Sequence, residues 1–169
     1  LAVTSTSGPG MCLKSEAMNL AVIMELPLVI LDVQRGGPAT GLPTKSEQTD
    51  LLQALFGRNG ESPMPVLAAT SPTDCFEAAY EASKMALEHM TPVVLLTDAF
   101  VANGSGAFRL PNLAEYAAIN PPYVPEELKG TWTPYQRQEE NGVRYWAVPG
   151  REGFQHILGG LEKDNKTGA

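Results

Sequence analysis

The chain is poor in the residues that staple or metallate small proteins. Two cysteines, Cys12 and Cys75, stand far apart among 169 residues. That excludes a disulfide framework and a Cys-rich metal or iron-sulfur site on this chain, and isolated thiols fit a reducing cytoplasm. Histidine is as scarce, with only His89 and His156. His89 falls near the end of an amphipathic helical pattern and reads as a surface residue. Without a GxSxG elbow, a Ser-His-Asp hydrolase has nothing to build on. Basic residues are outnumbered, 12 Lys and Arg against 19 Asp and Glu, for a formal net charge of -7. No stretch gathers Lys and Arg densely enough to follow a phosphate backbone, so no nucleic-acid partner is expected. Long apolar runs are missing too. Those present, such as the run around Pro92 to Leu96, are far short of the roughly 20 residues that span a bilayer, and no basic segment followed by an apolar one opens the chain. The reading is of a soluble chain without a membrane partner.

What is present is enough apolar material, 43% of residues, for one core. Residues 2 to 7 read as a short strand halted by Gly8-Pro9-Gly10. Leu13, Ala17, Leu20, Ala21 and Met24 recur at helical spacing until Pro27, and predict a helix with those residues on its buried face. Leu28 to Val33 is a nearly unbroken apolar run, the pattern of a strand covered on both faces. Gln34 to Pro43, with three glycines and two prolines, predicts a loop at the carboxyl end of that strand, where open α/β sheets keep their ligands. Thr44-Lys45-Ser46-Glu47 has capping-box spacing and predicts a helix through Leu51, Leu52 and Leu55 to Gly57. Lys45, Glu47 and Asp50 would then share a solvated face. Pro65 to Thr70 reads as a third strand and Val93 to Thr97 as a fourth. Between them Ser71-Pro72-Thr73-Asp74 opens a helix with Cys75, Ala79, Ala82 and Ala86 on one face.

The alternation of strand and helix predicts an α/β fold, a parallel sheet with helices on both faces. Four strands are few for that architecture, so a further βα unit or a partner chain is expected at the open edge. The chain opens on strand-like sequence without an initiating Met, and the reading expects a segment of a longer polypeptide. Beyond Val101 the periodicity fades, and prolines at 111, 121, 122, 125, 134 and 149 predict an extended segment without a core of its own. Residues 1–105 are thus read as a domain, and 106–169 as a proline-rich arm or linker toward a following domain.

Two places could carry chemistry. Arg35 lies just past the end of the apolar strand, beside Gly36 and Gly37, where a guanidinium can hold a carboxylate through two parallel hydrogen bonds. The competing reading is that Arg35 pairs with a neighbouring acidic group and only shapes the loop. The second place is Thr4-Ser5-Thr6-Ser7-Gly8-Pro9-Gly10, a hydroxyl-rich strand end entering a helix. It has neither the Lys of a P-loop nor GxGxxG, so neither nucleotide fingerprint applies, and as bare pattern a plain strand-to-helix turn is the better account of it. Asp98, at the end of the fourth strand, is placed like a ligand-binding residue but could simply cap a helix or loop.

The run "TSTSGPGMCLKSEAMNLAVIMELPLVILDVQRGGPATGLPTKSEQTDLLQALFGRNGE" resembles the alpha subunits of 2-oxoacid:ferredoxin (acceptor) oxidoreductases of the 2-oxoglutarate type. The likeness continues through "SPTDCFEAAYEASKMALEHMTPVVLLTDAFVANG", "YWAVPG" and "HILGGLEKD". The resemblance implies the pyrimidine-binding fold of a thiamine diphosphate enzyme, incomplete at the N-terminus. It implies oxidative decarboxylation of a 2-oxoacid to an acyl-CoA, with electrons passed to ferredoxin and the hard chemistry supplied by the cofactor. On this alignment Arg35 corresponds to the arginine that contacts substrate, and Ser5, Thr6, Ser7 and Gly8 line the cofactor side. The family's glutamate that bonds the aminopyrimidine precedes the Thr-Ser-Gly-Pro-Gly turn, so no catalytic residue is expected within this segment. Thiamine diphosphate would be shared with a beta subunit, which carries the Mg2+ and the iron-sulfur cluster; a hetero-oligomer is implied, with ferredoxin an indirect partner and the 2-oxoacid and coenzyme A as ligands. The loop QRGGPATGLPT leans toward 2-oxoglutarate. Alone, the segment is expected to be inactive. A different class of function stays open: a non-catalytic module that docks a beta subunit through its sheet edge and arm.

Overall fold

The computed structural model describes residues 1–159. Four strands, β1 (Ala2–Thr6), β2 (Leu28–Gln34), β3 (Val66–Ala68) and β4 (Pro92–Asp98), form one sheet in the order β1-β2-β4-β3. Every pairing is parallel. All seven residues of β4 are buried, as a central strand covered on both faces requires. The helices are α1 (Gly8–Leu13), α2 (Ser15–Ile23), α3 (Leu51–Phe56), α4 (Cys75–His89) and the short α5 (Ala99–Asn103).

Side chains alternate across the pleat, so the sheet has two cores. Ile30, Val94 and Leu96 meet Met11, Met18 and Ala54 from α1, α2 and α3 on one face. Val29, Val93 and Leu95 meet Ala82 and Ala86 of α4 on the other. The expected α/β architecture is therefore found. Because Asp32 and Gln34 share the parity of Ile30, they stand on the α1 and α3 face, toward the carboxyl rim. Register pairs Thr6 with Asp32 and Gln34 with Asp98, which brings three strand ends to that rim.

Three local expectations fail, each for a physical reason. The first helix begins at Gly8, with Pro9 in its opening turn, and breaks at Lys14, which shifts the buried face. Met11 and Met18 are at 0% and 2% exposure, whereas Leu13 is at 88%; the apolar stripe picked out by periodicity faces outward over much of its length. The capping box at Thr44 caps nothing, because Glu47 accepts from the Gly37 amide at 2.7 Å and α3 starts only at Leu51. Of that helix Ala54 is buried, while Leu51, Leu52, Leu55 and Phe56 are exposed. Asp50, expected on a solvated face, is buried.

Beyond α5 the chain wraps round the domain with two single turns of 3-10 helix, Leu113–Glu115 and Glu126–Leu128. Tyr116 packs edge-on against Phe76 and Tyr80 of α4, and the Tyr80 hydroxyl donates to Ala117 O at 2.6 Å. Contrary to expectation this segment has a small core of its own, in which Val124, Ala147 and Phe154 are buried beside Leu128, Trp132 and Tyr145. It is fastened to the end of α2 by ion pairs. Glu25 takes Arg137 Nη2 at 2.5 Å and Arg144 Nε at 3.3 Å, and Arg144 is buried. Residues 160–169 of the expected arm lie outside the described residues.

Candidate functional site

The loop from Arg35 to Thr49 is irregular but closely tied. Gly36 N donates to Lys45 O at 2.9 Å and Leu42 N to Gly36 O at 2.7 Å, closing a small antiparallel bridge. Gly41 is required here: its φ is +63°, and a Cβ would lie 1.8 Å from Gly36 O. Two strand-end side chains hold the loop's return. Gln34 Nε2 donates to Thr97 O at 3.1 Å, and Gln34 Oε1 accepts from the Asp50 amide at 3.0 Å. Gln48 Nε2 donates to Asp98 Oδ2 at 2.6 Å.

This arrangement opens a cleft of about 390 Å3 at the carboxyl rim, walled by Gly8, Pro9, Cys12, Arg35, Pro38 and Asp50 among others. Arg35 Nη2 donates to Thr40 O at 2.8 Å. Its Nε is buried without a partner among the described residues, which leaves donor capacity for an acceptor that enters the cleft. The competing reading of Arg35 as half of a local ion pair finds no support, because none of the described acidic groups pairs with it.

Gly8 forms the floor. An added Cβ there would lie 2.7 Å from both Asp50 carboxylate oxygens, so only glycine permits that approach. Asp50 precedes α3 but does not cap it with its side chain. Its carboxylate turns instead to the Gly8 amide and to Asp32. Asp32 is fully buried, and no group among the described residues other than the Asp50 carboxyl is placed to bond its oxygens. Burial, then the charge of Asp50 and a hydrogen bond with it, push the Asp32 carboxyl up to about 7. Burial also raises Asp50, with Glu47 adding to the effect and the contacts to Asp32 and Gly8 opposing it. Two carboxyls so placed disfavour ionising together.

Of the residues singled out by sequence, the structure brings Gly8 and Arg35 to one cleft. Ser5 lies exposed on the edge strand, Thr6 Oγ1 donates to Ser7 O at 3.3 Å, and Ser7 precedes α1 without a side-chain cap; none of the three lines the cleft. Asp98 caps α5, accepting from Phe100 N at 2.7 Å and Val101 N at 2.9 Å. Burial disfavours its charge, but the Gln48 amide and those two backbone amides outweigh burial and hold it below the usual carboxylate range. His89 is exposed. Among the described residues no helix is long and apolar enough to cross a membrane. Asp32 and Asp50 were not singled out. The available signal was Asp32 itself, a carboxylate inside a run that reads as covered on both faces.

A parallel open sheet with its cleft on the carboxyl rim defines an α/β ligand-binding domain. Residues 1–167 match the family described as "Pyruvate flavodoxin/ferredoxin oxidoreductase, thiamine diP-bdg", and the chain belongs to that family. It is 54% identical over 169 residues to the 2-oxoglutarate oxidoreductase subunit KorA of Mycobacterium tuberculosis, covering 99% of this chain and 25% of that protein. With the 2-oxoglutarate synthase subunit KorA of Archaeoglobus fulgidus it shares 44% identity over 115 residues, 68% of this chain and 33% of that protein. A solved 2-oxoglutarate:ferredoxin oxidoreductase from Magnetococcus marinus, with 2-oxoglutarate, coenzyme A and succinyl-CoA bound, superposes with a TM-score of 0.86 at 36% identity, over 97% of this chain and 28% of that one. The resemblance to alpha-type subunits of 2-oxoacid oxidoreductases is thus borne out, and the chain spans about a quarter of the Mycobacterium tuberculosis relative's length.

Proposed function

We propose that this chain is the part of a 2-oxoacid:ferredoxin oxidoreductase alpha subunit that presents Arg35 to the substrate, 2-oxoglutarate being the 2-oxoacid. The observation that carries the reading is the Arg35 guanidinium, with an unpartnered Nε, on the wall of the rim cleft. A planar guanidinium meets a carboxylate through paired hydrogen bonds and needs no proton transfer to do so. The names of the relatives from Mycobacterium tuberculosis and Archaeoglobus fulgidus, and the ligands of the Magnetococcus marinus structure, favour 2-oxoglutarate.

Thiamine diphosphate, when bound, supplies the nucleophilic carbon and the electron sink. What this chain offers it is consistent with one wall of a shared site: the Gly8-Pro9 turn, with glycine allowing close backbone approach, and the apolar sides of Pro38 and Leu13. Ser5, Thr6 and Ser7 reach the cofactor on this reading only from beyond the described cleft. Mg2+ and an iron-sulfur cluster are assigned to a beta subunit, with which the chain forms a cytoplasmic hetero-oligomer. The arm after residue 105 then leads toward the next domain. The role of this chain's own residues is to bind and orient the carboxylate and to keep water from it.

The test is Arg35→Ala in the native polypeptide assembled with its partner subunit. Losing a charge-assisted bidentate contact raises the KM for 2-oxoglutarate about 100-fold, and Arg35→Lys restores little of it, since a point charge lacks the paired geometry. An assembled Arg35→Ala enzyme with wild-type KM and turnover supports the other reading, a docking module without a catalytic part.

A further inference from the structure

Among the groups that the proposed function leaves unused, the buried acids under the cleft are the least expected. One carboxylate suffices to face the Gly8 turn, and Asp50 lies against it. The second acid, Asp32, is fully buried in the α1 and α3 face of β2. No described cation neutralises the pair. Arg35 gives Nη2 to Thr40 O, and Arg58 beyond α3 spends its donors on Ala54 O, Leu55 O and Ser62. Glu47 adds a negative charge from the loop. The remaining neighbours are the Cys12 thiol of α1 and the neutral Gln53 of α3 on the cleft wall, and Thr6 and Leu96 flanking Asp32 from β1 and β4.

We propose that Asp32 and Asp50 are a positioning pair for the substrate arginine, sharing one proton so that the cleft floor carries one negative charge rather than two when an anionic 2-oxoacid enters. This rests on the reading of Arg35 as the carboxylate ligand. Loss of the shared proton does two things. It places a second negative charge under a site built for an anion, and it leaves two carboxylates repelling each other between the Gly8 turn and the return of the Arg35 loop. Both weaken substrate binding without touching the reacting atoms. The raised proton affinity of Asp32 puts this event in the neutral range.

In the assembled enzyme, KM and kcat for 2-oxoglutarate are measured from pH 6 to pH 9 for wild type, Asp32→Asn and Asp50→Asn. Asp32→Asn removes the acid that titrates in the neutral range, whereas Asp50→Asn leaves Asp32 buried and raised, so the KM ratio is read against Asp32→Asn, or against Asp32→Leu if Asp32→Asn does not assemble. The ratio of wild-type to variant KM is expected to rise about tenfold across this range, the effect of one added charge across a cleft of effective dielectric near 20. The ratio of kcat values stays level. Infrared difference spectra of wild type between the same pH limits should contain a protonated-carboxyl band that Asp32→Asn lacks. A flat KM ratio or an unchanged band overturns the proposal. Arg35→Ala, run in parallel, separates the two ideas: a raised KM there with a flat ratio removes the pair alone, whereas an unchanged KM removes the Arg35 reading and the pair with it.

Discussion

The backbone amide of Asp50 donates to Gln34 Oε1 at 3.0 Å, so the first residue before α3 hangs from the last residue of β2. The same Gln34 side chain donates to Thr97 O at 3.1 Å and so joins two strand ends to the loop that carries Arg35. Gln34→Leu keeps the volume but leaves a buried N–H and a buried carbonyl without partners, at a cost of about 1–3 kcal/mol each. Denaturant unfolding of the native polypeptide should register that loss. Amide exchange should rise across residues 35–50 while the β4 core stays protected.

Asp32 makes stability depend on pH in a defined direction. Its carboxyl is raised from 3.8 to about 7, so the fold favours the neutral form. The contribution is complete below the unfolded value and is lost as pH rises through the folded value. Between pH 4 and pH 7 the wild type should lose up to roughly 4 kcal/mol from this group, an upper bound that relaxation of the site will reduce. Asp32→Asn should flatten that slope, giving a smaller fall in melting temperature between pH 5 and pH 8 than in wild type. Identical slopes for the two proteins would remove the assignment.

Arg144 is buried and held at 3.3 Å by Glu25, whose backbone sits at φ 51°. Burial lowers the proton affinity of that guanidinium and the Glu25 charge opposes the fall. Glu25→Gln should therefore cost about 3–5 kcal/mol, because it leaves a buried cation uncompensated, while replacing both partners by apolar residues should cost less. The pattern to measure is non-additivity: Glu25→Leu with Arg144→Met closer to wild type than Arg144 left alone opposite leucine. Limited proteolysis should show the segment around Val124 and Phe154 loosened first in the single variants.

What could be read along the chain was whatever depends on local periodicity or on a doubly covered strand. The runs at Leu28 to Val33 and Val93 to Thr97 mark β2 and β4, and Ala82 and Ala86 do face the sheet from α4, though Ala79 of the same expected face is exposed. Arg35 could be placed because its loop comes directly after a strand end, a matter of chain order. The pairing of Asp32 with Asp50 could not be placed this way. It joins residues on different elements, and Asp50 was masked by a capping pattern whose Glu47 is used by Gly37 instead. The outward turn of Leu13 likewise depends on a helix start at Gly8 that the glycine-proline turn concealed. The small core at Val124, Ala147 and Phe154 has no period to read, since it forms between irregular segments.

Gly10 sits in the turn that sets the cleft floor. A Cβ on it would lie 2.0 Å from Thr6 Oγ1 but 3.4 Å from Thr6 Cβ, so the obstruction is one oxygen on a β-branched, rotamer-restricted side chain. Gly10→Ala should therefore destabilise by about 1–3 kcal/mol through local overpacking, even though alanine is the better helix former. Thr6→Ala removes the obstructing atom, and in that background Gly10→Ala should cost little or become favourable. A coupling of about 0.5–3 kcal/mol between the two positions is expected from a double-mutant cycle. Additive effects would mean that Thr6 swings aside freely, and that the turn owes its glycine to something other than this contact.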